Sequence, residues 1–169
     1  MTRSGRTATT VALMCVIAVV GFVLLQEHVR ALEAEGAAQF LRLLGAHGIR
    51  RDDATRLLVI PAHHPAFHVL ITPSCSSLAS LIAFGCLFPF APHTALATRA
   101  RAVGTAASIV FSGNILRIAA SVAVGLVAGR ASLVLFHDWV GSTFTFVYTV
   151  GGYMLLLAVL LPRRARADA

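Results

Sequence analysis

The sequence has few charged residues for its length and no lysine at all. Charged side chains make up 12% of the 169 residues, whereas about a quarter of residues are charged in soluble domains. Hydrophobic residues make up 57%, and the mean hydropathy is +0.81. This composition excludes an ordinary soluble domain. The net charge of +7 comes entirely from arginine. The positions of the arginines along the chain are more informative than the sign of the net charge, and we predict no nucleic-acid partner.

Cysteine pairs, linkers and repeats are also missing. The three cysteines are Cys15, Cys75 and Cys86, and they form no CxxC motif, which weakens the case for a thiol redox protein. No Gly/Ser-rich linker and no internal period divides the chain. We therefore predict a single membrane domain over residues 1–169.

Long apolar runs are what the sequence does contain. Crossing about 30 Å of hydrocarbon takes roughly 20 apolar residues. Runs of this kind lie at residues 8–25, 73–91, 102–129 and 139–161. We predict an all-α integral membrane protein with about four transmembrane helices.

The first run has a second interpretation. A basic start followed by an apolar stretch also describes a secretory signal peptide. The residues that follow, QEHVRALEAEGA, offer no clean small-x-small cleavage site next to the run. We therefore expect an uncleaved anchor.

The arginines outside these runs predict the orientation, because cytoplasmic loops carry an excess of positive charge. Arginines lie before the first run, between the second and the third, and after the fourth. With four crossings, these three segments lie on the same side of the membrane. The arginines are Arg3, Arg6, Arg99, Arg101, Arg163, Arg164 and Arg166. On the other side, arginine and acidic residues balance. We predict a multi-pass plasma-membrane protein with both termini in the cytoplasm and residues 26–72 outside.

The outer region, residues 26–72, shows two patterns. From Glu27 to His47 apolar residues recur on one helical face, which predicts a helix lying on the membrane surface. Residues 57–60 and 67–72 are apolar and β-branched around the sequence PAHHP, which predicts a short hairpin. The second strand of this hairpin leads the chain to Cys75.

Three reactive side chains are expected at one level of the membrane. Arg117 lies sixteen residues beyond the cytoplasmic Arg101, about 24 Å along a helix, and so approaches the outer edge of the third run. A buried arginine normally faces protein or a polar cavity, because its charge is costly to place in lipid. Cys75 stands at the outer start of the second run, and His137 at the outer start of the fourth. Topology alone does not say whether they touch.

These residues resemble the exosortase/archaeosortase family of membrane transpeptidases. The resemblance covers residues 57–161 and rests on C-S-S at the mouth of one crossing, N-I-L-R at residues 114–117 and an isolated histidine before the last crossing. It implies that Cys75, Arg117 and His137 form the catalytic set. A glycine is common in the family two residues after the cysteine, where this chain has Ser77.

The resemblance also implies the substrates. They are membrane proteins that end in a short motif, a transmembrane helix and a basic tail, and the new C-terminus passes to a lipid or surface acceptor.

The same chemistry follows from the residue types. A free thiol is only a few per cent thiolate at neutral pH, and a neighbouring histidine or arginine raises that fraction. Histidine can take the thiol proton and return it to the leaving amine, while arginine can stabilise an oxyanion. The sequence therefore predicts a cysteine peptidase or transpeptidase that needs no cofactor and no metal.

A non-catalytic alternative remains open. Arg117 and Asp138 could form a structural ion pair in a non-catalytic membrane subunit or assembly factor. Asn114 either orders Arg117 or hydrogen-bonds between helices, and the third helix either continues past Arg117 or breaks near Gly113.

His64 and His68 have metal-ligand spacing, but Pro65 interrupts a helix there, so we predict no metal site.

Overall fold

The computed structural model describes residues 3–87 and 95–160. Along the chain its elements are α1 (Arg3–Leu43), β1 (Ile49–Asp53), β2 (Arg56–Val59), β3 (Phe67–Leu70), a 3-10 turn (Pro73–Cys75), α2 (Leu78–Leu87), α3 (Leu96–Leu135), a π-helical segment (Phe136–Gly141) and α4 (Ser142–Leu160). The predicted ends of the second and fourth apolar runs, at 88–91 and 161, lie outside the described residues. So do the C-terminal arginines at 163, 164 and 166.

The first helix is longer than the sequence analysis predicts. α1 runs unbroken for 41 residues, about 60 Å, so the predicted anchor and the predicted surface helix are one element. No proline interrupts the stretch, and its Glu, Gln, Arg and Ala residues favour helix. The outer half packs through a face of small residues and one leucine, which are Ala34, Ala37, Ala38 and Leu41. The prediction of a separate helix on the membrane surface is therefore wrong.

The outer region contains a three-stranded sheet rather than a two-stranded hairpin. β2 and β3 are the two predicted strands, and they pair antiparallel with Leu57 opposite Val69. β1 lies on the other side of β2. Its sequence, IRRDD, buries only Ile49, so the hydrophobic pattern gave no signal for it. The strand order leaves β3 with a neighbour on one side only.

Gly129 turns the chain back on itself. Its φ of 80° and ψ of 178° interrupt α3, which is helical through Gly113 and Arg117. A side chain there would be strained, and its Cβ would lie 3.1 Å from Cγ of His64. The following residues run back, so that Leu133 packs against Gly125 and α4 packs along α3. The break is thus at Gly129 and not near Gly113.

The described residues form two apolar cores that hold the elements together. The outer core joins α1, the sheet and the outer part of α3 around Leu57, Val59 and Val122. The inner core joins α2, α3 and α4 around Phe84, Val110 and Leu156. The site described below lies at the edge of the outer core, against which Cys75 packs.

The surface of α1 is suited to lipid. Its large apolar residues between Val11 and Leu25 are mostly about half exposed or more, an apolar area that water-soluble proteins seldom leave uncovered. Among the described residues, two helical stretches are long and apolar enough to cross a membrane, Val11–Leu43 and Leu96–Val159, and Leu78–Leu87 is a shorter apolar helix. The second stretch includes the reversal at Gly129. The number of four crossings stays a prediction.

Candidate active site

The structure brings together the three residues that the sequence analysis selected. Sγ of Cys75 lies 3.3 Å from Nε2 of His137, and Nη2 of Arg117 lies 3.0 Å from the same Nε2. Cys75 ends the 3-10 turn that precedes α2, Arg117 belongs to α3, and His137 belongs to the π-helical segment. Side chains that lie 20 and 62 residues from His137 in the sequence therefore meet at its imidazole ring.

The contacts of His137 define which ring nitrogen carries the proton. A guanidinium can only donate hydrogen bonds, so Nε2 accepts from Arg117 through its lone pair. The proton of the neutral ring then sits on Nδ1, which donates to Oδ1 of Asp138 at 3.1 Å. The side chain of His137 is 32% exposed. In this tautomer the basic nitrogen Nε2 faces the thiol of Cys75, and the hydrogen bonds with Arg117 and Asp138 fix the ring.

Arg117 is buried, with 6% of its surface exposed. Besides His137 it donates from Nη1 to Oγ1 of Thr145 at 2.7 Å, and its Nε has no partner among the described residues. It forms no ion pair with Asp138 in the described part of the chain, because the ring of His137 lies between them. The Arg117–Asp138 ion pair of the non-catalytic alternative is therefore not present.

The sulfur of Cys75 receives a further hydrogen bond from its own turn. The Thr72 hydroxyl donates to Sγ at 3.1 Å, so at the 2.8 Å contact between Thr72 and Ser74 the Ser74 hydroxyl is the donor. Burial raises the pKa of the Cys75 thiol. The Thr72 hydroxyl and the contacts of the thiol with His137 and Arg117 outweigh burial, and the pKa lies below its ordinary value. The sequence analysis did not single out Thr72 for this role.

We expect Thr72→Val to raise the pKa of Cys75. Valine keeps the shape of threonine but removes the hydroxyl that stabilises the thiolate. The rate of Cys75 alkylation by iodoacetamide follows the thiolate fraction, so its midpoint moves to higher pH. The measurement uses a Cys15→Ala/Cys86→Ala background, in which Cys75 is the only thiol, and Thr143→Val is the matched control. An unchanged midpoint in Thr72→Val contradicts the assigned hydrogen bond.

The backbone of the turn is fixed by a buried amide. Nδ2 of Asn114 donates to the carbonyl of Cys75 at 2.9 Å, and the Tyr148 hydroxyl donates to Oδ1 of Asn114 at 3.0 Å. Asn114 is 1% exposed. Of the two roles left open for Asn114, the structure shows a hydrogen bond between elements, since the amide ties the turn to α3 and, through Tyr148, to α4.

A buried carboxylate anchors the residues after Cys75. Oε1 of Glu33 accepts from the backbone N–H of Ser77 at 2.9 Å and from its hydroxyl at 2.6 Å. Glu33 is fully buried, and its Oε2 has no partner among the described residues. The serine in the place of a common glycine thus uses its hydroxyl to join α1 to the start of α2. Sequence reasoning missed Glu33 because α1 contains three glutamates, and nothing in their spacing distinguishes the buried one.

We expect Glu33→Ala to destabilise the protein by about 1–3 kcal/mol, because it leaves two buried donors of Ser77 without an acceptor. The melting temperature in detergent should fall by roughly 3–10 °C. Glu33→Gln keeps an acceptor oxygen and should lose less than half as much. Glu35→Ala, which removes exposed contacts to Arg51 and Gln39, is the control and should have little effect. Equal losses for Glu33→Ala and Glu33→Gln contradict this assignment.

The structure shows no metal centre in the part of the chain that it describes. Across residues 3–87 and 95–160, no group of three or more His, Cys, Asp or Glu side chains is arranged to hold a metal ion. His68 contacts Asp52 through Nδ1 at 3.4 Å, and His64 lies against Gly129. These two histidines therefore have structural neighbours of their own.

Comparison with known proteins identifies the family of the chain. Residues 2–159 match the family model of the transmembrane exosortase (Exosortase_EpsH). No curated protein and no solved structure shows significant similarity to the chain. Because the matched region spans nearly the whole sequence and contains every residue of the site, the chain belongs to the transmembrane exosortase family.

Proposed function

We propose that the protein is a cysteine transpeptidase that cleaves a C-terminal sorting signal and transfers the new C-terminus to an acceptor through a thioester on Cys75. One observation carries the proposal. Nε2 of His137 lies 3.3 Å from Sγ of Cys75, while Nδ1 of the same ring is bonded to Asp138. A nucleophile, a base and a group that orients the base are the elements of nucleophilic acyl transfer.

The first step moves the thiol proton to His137. As Sγ attacks the peptide carbonyl carbon, the Arg117 N–H leaves the lone pair of Nε2, the S–H proton passes to that lone pair and the carbonyl oxygen takes the negative charge. Asp138 then faces an imidazolium and stabilises it. When the intermediate collapses, the C–N bond breaks, the Nε2 proton goes to the leaving amine and a thioester remains.

Arg117 acts at the same moment. Once Nε2 is protonated it has no lone pair, so it can no longer accept from Nη2 of Arg117. The guanidinium N–H released in this way is available to the oxyanion, while Nη1 remains on Thr145. A donor held in a buried site is worth more than the same donor in water. The resting contact between Arg117 and His137 thus holds the donor beside the place where charge develops.

The second step decides between transfer and hydrolysis. An amine-bearing lipid or surface group attacks the thioester, His137 takes its proton, and the thiol of Cys75 is restored as the amide forms. Water in the same position yields a carboxylate. We include transfer to an acceptor in the proposal because a thioester persists long enough to meet a nucleophile and is reactive enough to acylate an amine.

The proposed site faces the outer side of the plasma membrane. Arginines cluster at the predicted cytoplasmic ends, and Arg117 lies about 24 Å along the helix from Arg101. The proposed substrates of the enzyme are membrane proteins whose C-terminus carries a short motif, an apolar helix and a basic tail. Both chain termini are cytoplasmic in this proposal.

Trapping the thioester tests the proposal. The purified protein in detergent is mixed, without acceptor, with a tagged candidate substrate from the same genome that ends in motif, helix and basic cluster. We expect a covalent adduct on a denaturing gel that neutral hydroxylamine releases and that Cys75→Ala does not form. Cleavage without an adduct in a rapid-quench time course, or an adduct in Cys75→Ala, contradicts the thioester mechanism.

A further inference from the structure

A groove runs beside the candidate active site along β3. Its volume is about 230 Å³, and it is bounded by all four residues of β3 on one side and by the segment after Gly129 on the other. Cys75 and His137 belong to the same groove. Anything that lies along β3 therefore reaches the thiol and its base.

The groove follows the edge of the strand and not one of its faces. Successive side chains of a strand point to opposite faces of the sheet, so a groove over one face would touch only alternate residues. Here Phe67, His68, Val69 and Leu70 all border it. β3 has β2 as its only sheet neighbour, so its other edge has no partner strand among the described residues.

The register shows which backbone groups face that open edge. Ile71 donates its N–H to the carbonyl of Thr55 at 3.0 Å, which makes these two a hydrogen-bonded pair. In an antiparallel ladder such pairs alternate, so Val69 and Phe67 also direct their backbone groups toward β2. His68 and Leu70 direct theirs toward the groove.

We propose that this groove binds the substrate polypeptide in extended form, as an added strand on β3. The N–H and C=O groups of His68 and Leu70 bond the substrate backbone, which leads its scissile carbonyl to Sγ of Cys75. This inference rests on the proposed function and names how the same site holds its substrate. A helical occupant is excluded, because the backbone groups of a helix are already bonded internally. Strand addition to an open sheet edge is a general way of binding peptides.

Leu70→Pro tests the proposal against Leu70→Ala. Proline removes the N–H of residue 70 that faces the groove and leaves the bonds from β3 to β2 in place, and proline is tolerated on a strand edge. We expect Leu70→Pro to slow processing of the tagged substrate roughly tenfold more than Leu70→Ala does, because alanine keeps the N–H that proline removes. Alkylation of Cys75 should keep its rate within about twofold in both variants, which shows that the site is intact. Equal processing by the two variants overturns the proposal.

Crosslinking gives a second test that does not depend on how Leu70→Pro folds. Leu70→Cys is combined with Cys75→Ser, Cys15→Ala and Cys86→Ala, and cysteine is placed at successive positions before the helix of the tagged substrate. An added strand predicts disulfides at every second substrate position. Crosslinks without this period, or none, overturn strand addition.

The two hypotheses fail in different ways. If strand addition is wrong and the transpeptidase assignment right, hydroxylamine-sensitive adducts form in Leu70→Pro as readily as in Leu70→Ala. If the transpeptidase assignment is wrong, the unmodified protein forms no adduct on Cys75, whatever the crosslinking pattern.

Discussion

We expect Cys75→Ser to leave a tagged candidate substrate at full length, and Cys86→Ala to process it at the normal rate. A serine hydroxyl is far less acidic than a thiol, and the contacts from Thr72 and His137 that stabilise a thiolate do not ionise an alcohol. The rate of processing should fall at least about a thousandfold, as it does when a catalytic nucleophile is removed. Immunoblotting of membranes from cells that express both proteins measures this directly.

Cys86 makes the comparison specific. It lies in α2, eleven residues beyond Cys75 and within an apolar stretch, so its loss tests the effect of removing any thiol from this part of the chain. Equal melting temperatures of the two variants in detergent show that the fold is unchanged. If Cys75→Ser processes the substrate as well as Cys86→Ala does, the nucleophile is not Cys75.

The common level of Cys75, Arg117 and His137, although not their contact, could be predicted from sequence because a membrane restricts depth. Counting residues from an arginine that is predicted to be cytoplasmic locates a side chain along the membrane normal to within a turn or so of helix. Lateral position is not restricted in that way. The contact between Cys75 and His137 depends on how α3 folds back at Gly129, which the sequence analysis gave only as the end of the third apolar run. The catalytic roles of the three residues stay predictions.

The outer region was predicted less well, for two physical reasons. A surface helix and a helix that extends away from the membrane have the same amphipathic signature, and only tertiary packing decides between them. In α1 it is Ala34, Ala37 and Ala38 that pack, whereas Leu32 and Leu43 stay exposed. β1 was missed because an edge strand with one buried residue carries almost no hydrophobic pattern.

The residues that support the site were the hardest to foresee. Thr145 and Tyr148 act through hydroxyl groups whose partners lie on α3, and Thr72 bonds the thiol within its own turn. Their side chains are common in membrane helices and turns, and no spacing in the sequence relates them to Arg117 or Asn114. Short-range patterns predict which elements form, while these hydrogen bonds depend on how the elements meet.

We expect Arg117→Lys to lower the processing rate by about a hundredfold to a thousandfold, the effect of losing one preorganised donor to an oxyanion. Arg117 bonds Thr145 and His137 through two different nitrogens of one planar group. Lysine has a single ammonium head and cannot hold Thr145 while a second donor waits at His137. The positive charge is kept, so the loss reports geometry. The initial rate of substrate cleavage in detergent measures it.

The matched control is Arg101→Lys, since Arg101 is an exposed arginine on the same helix that donates from Nε to the carbonyl of Ala97. It should process substrate at the normal rate. The pH profile of Cys75 alkylation separates a catalytic from a structural effect. In Arg117→Lys the contacts of Thr72 and His137 with the thiol remain and a positive charge is kept, so the alkylation midpoint should move only slightly upward while cleavage falls steeply. Parallel losses of alkylation and cleavage would mean that Arg117 only holds the fold, because a donor reserved for the oxyanion acts after the thiolate has formed.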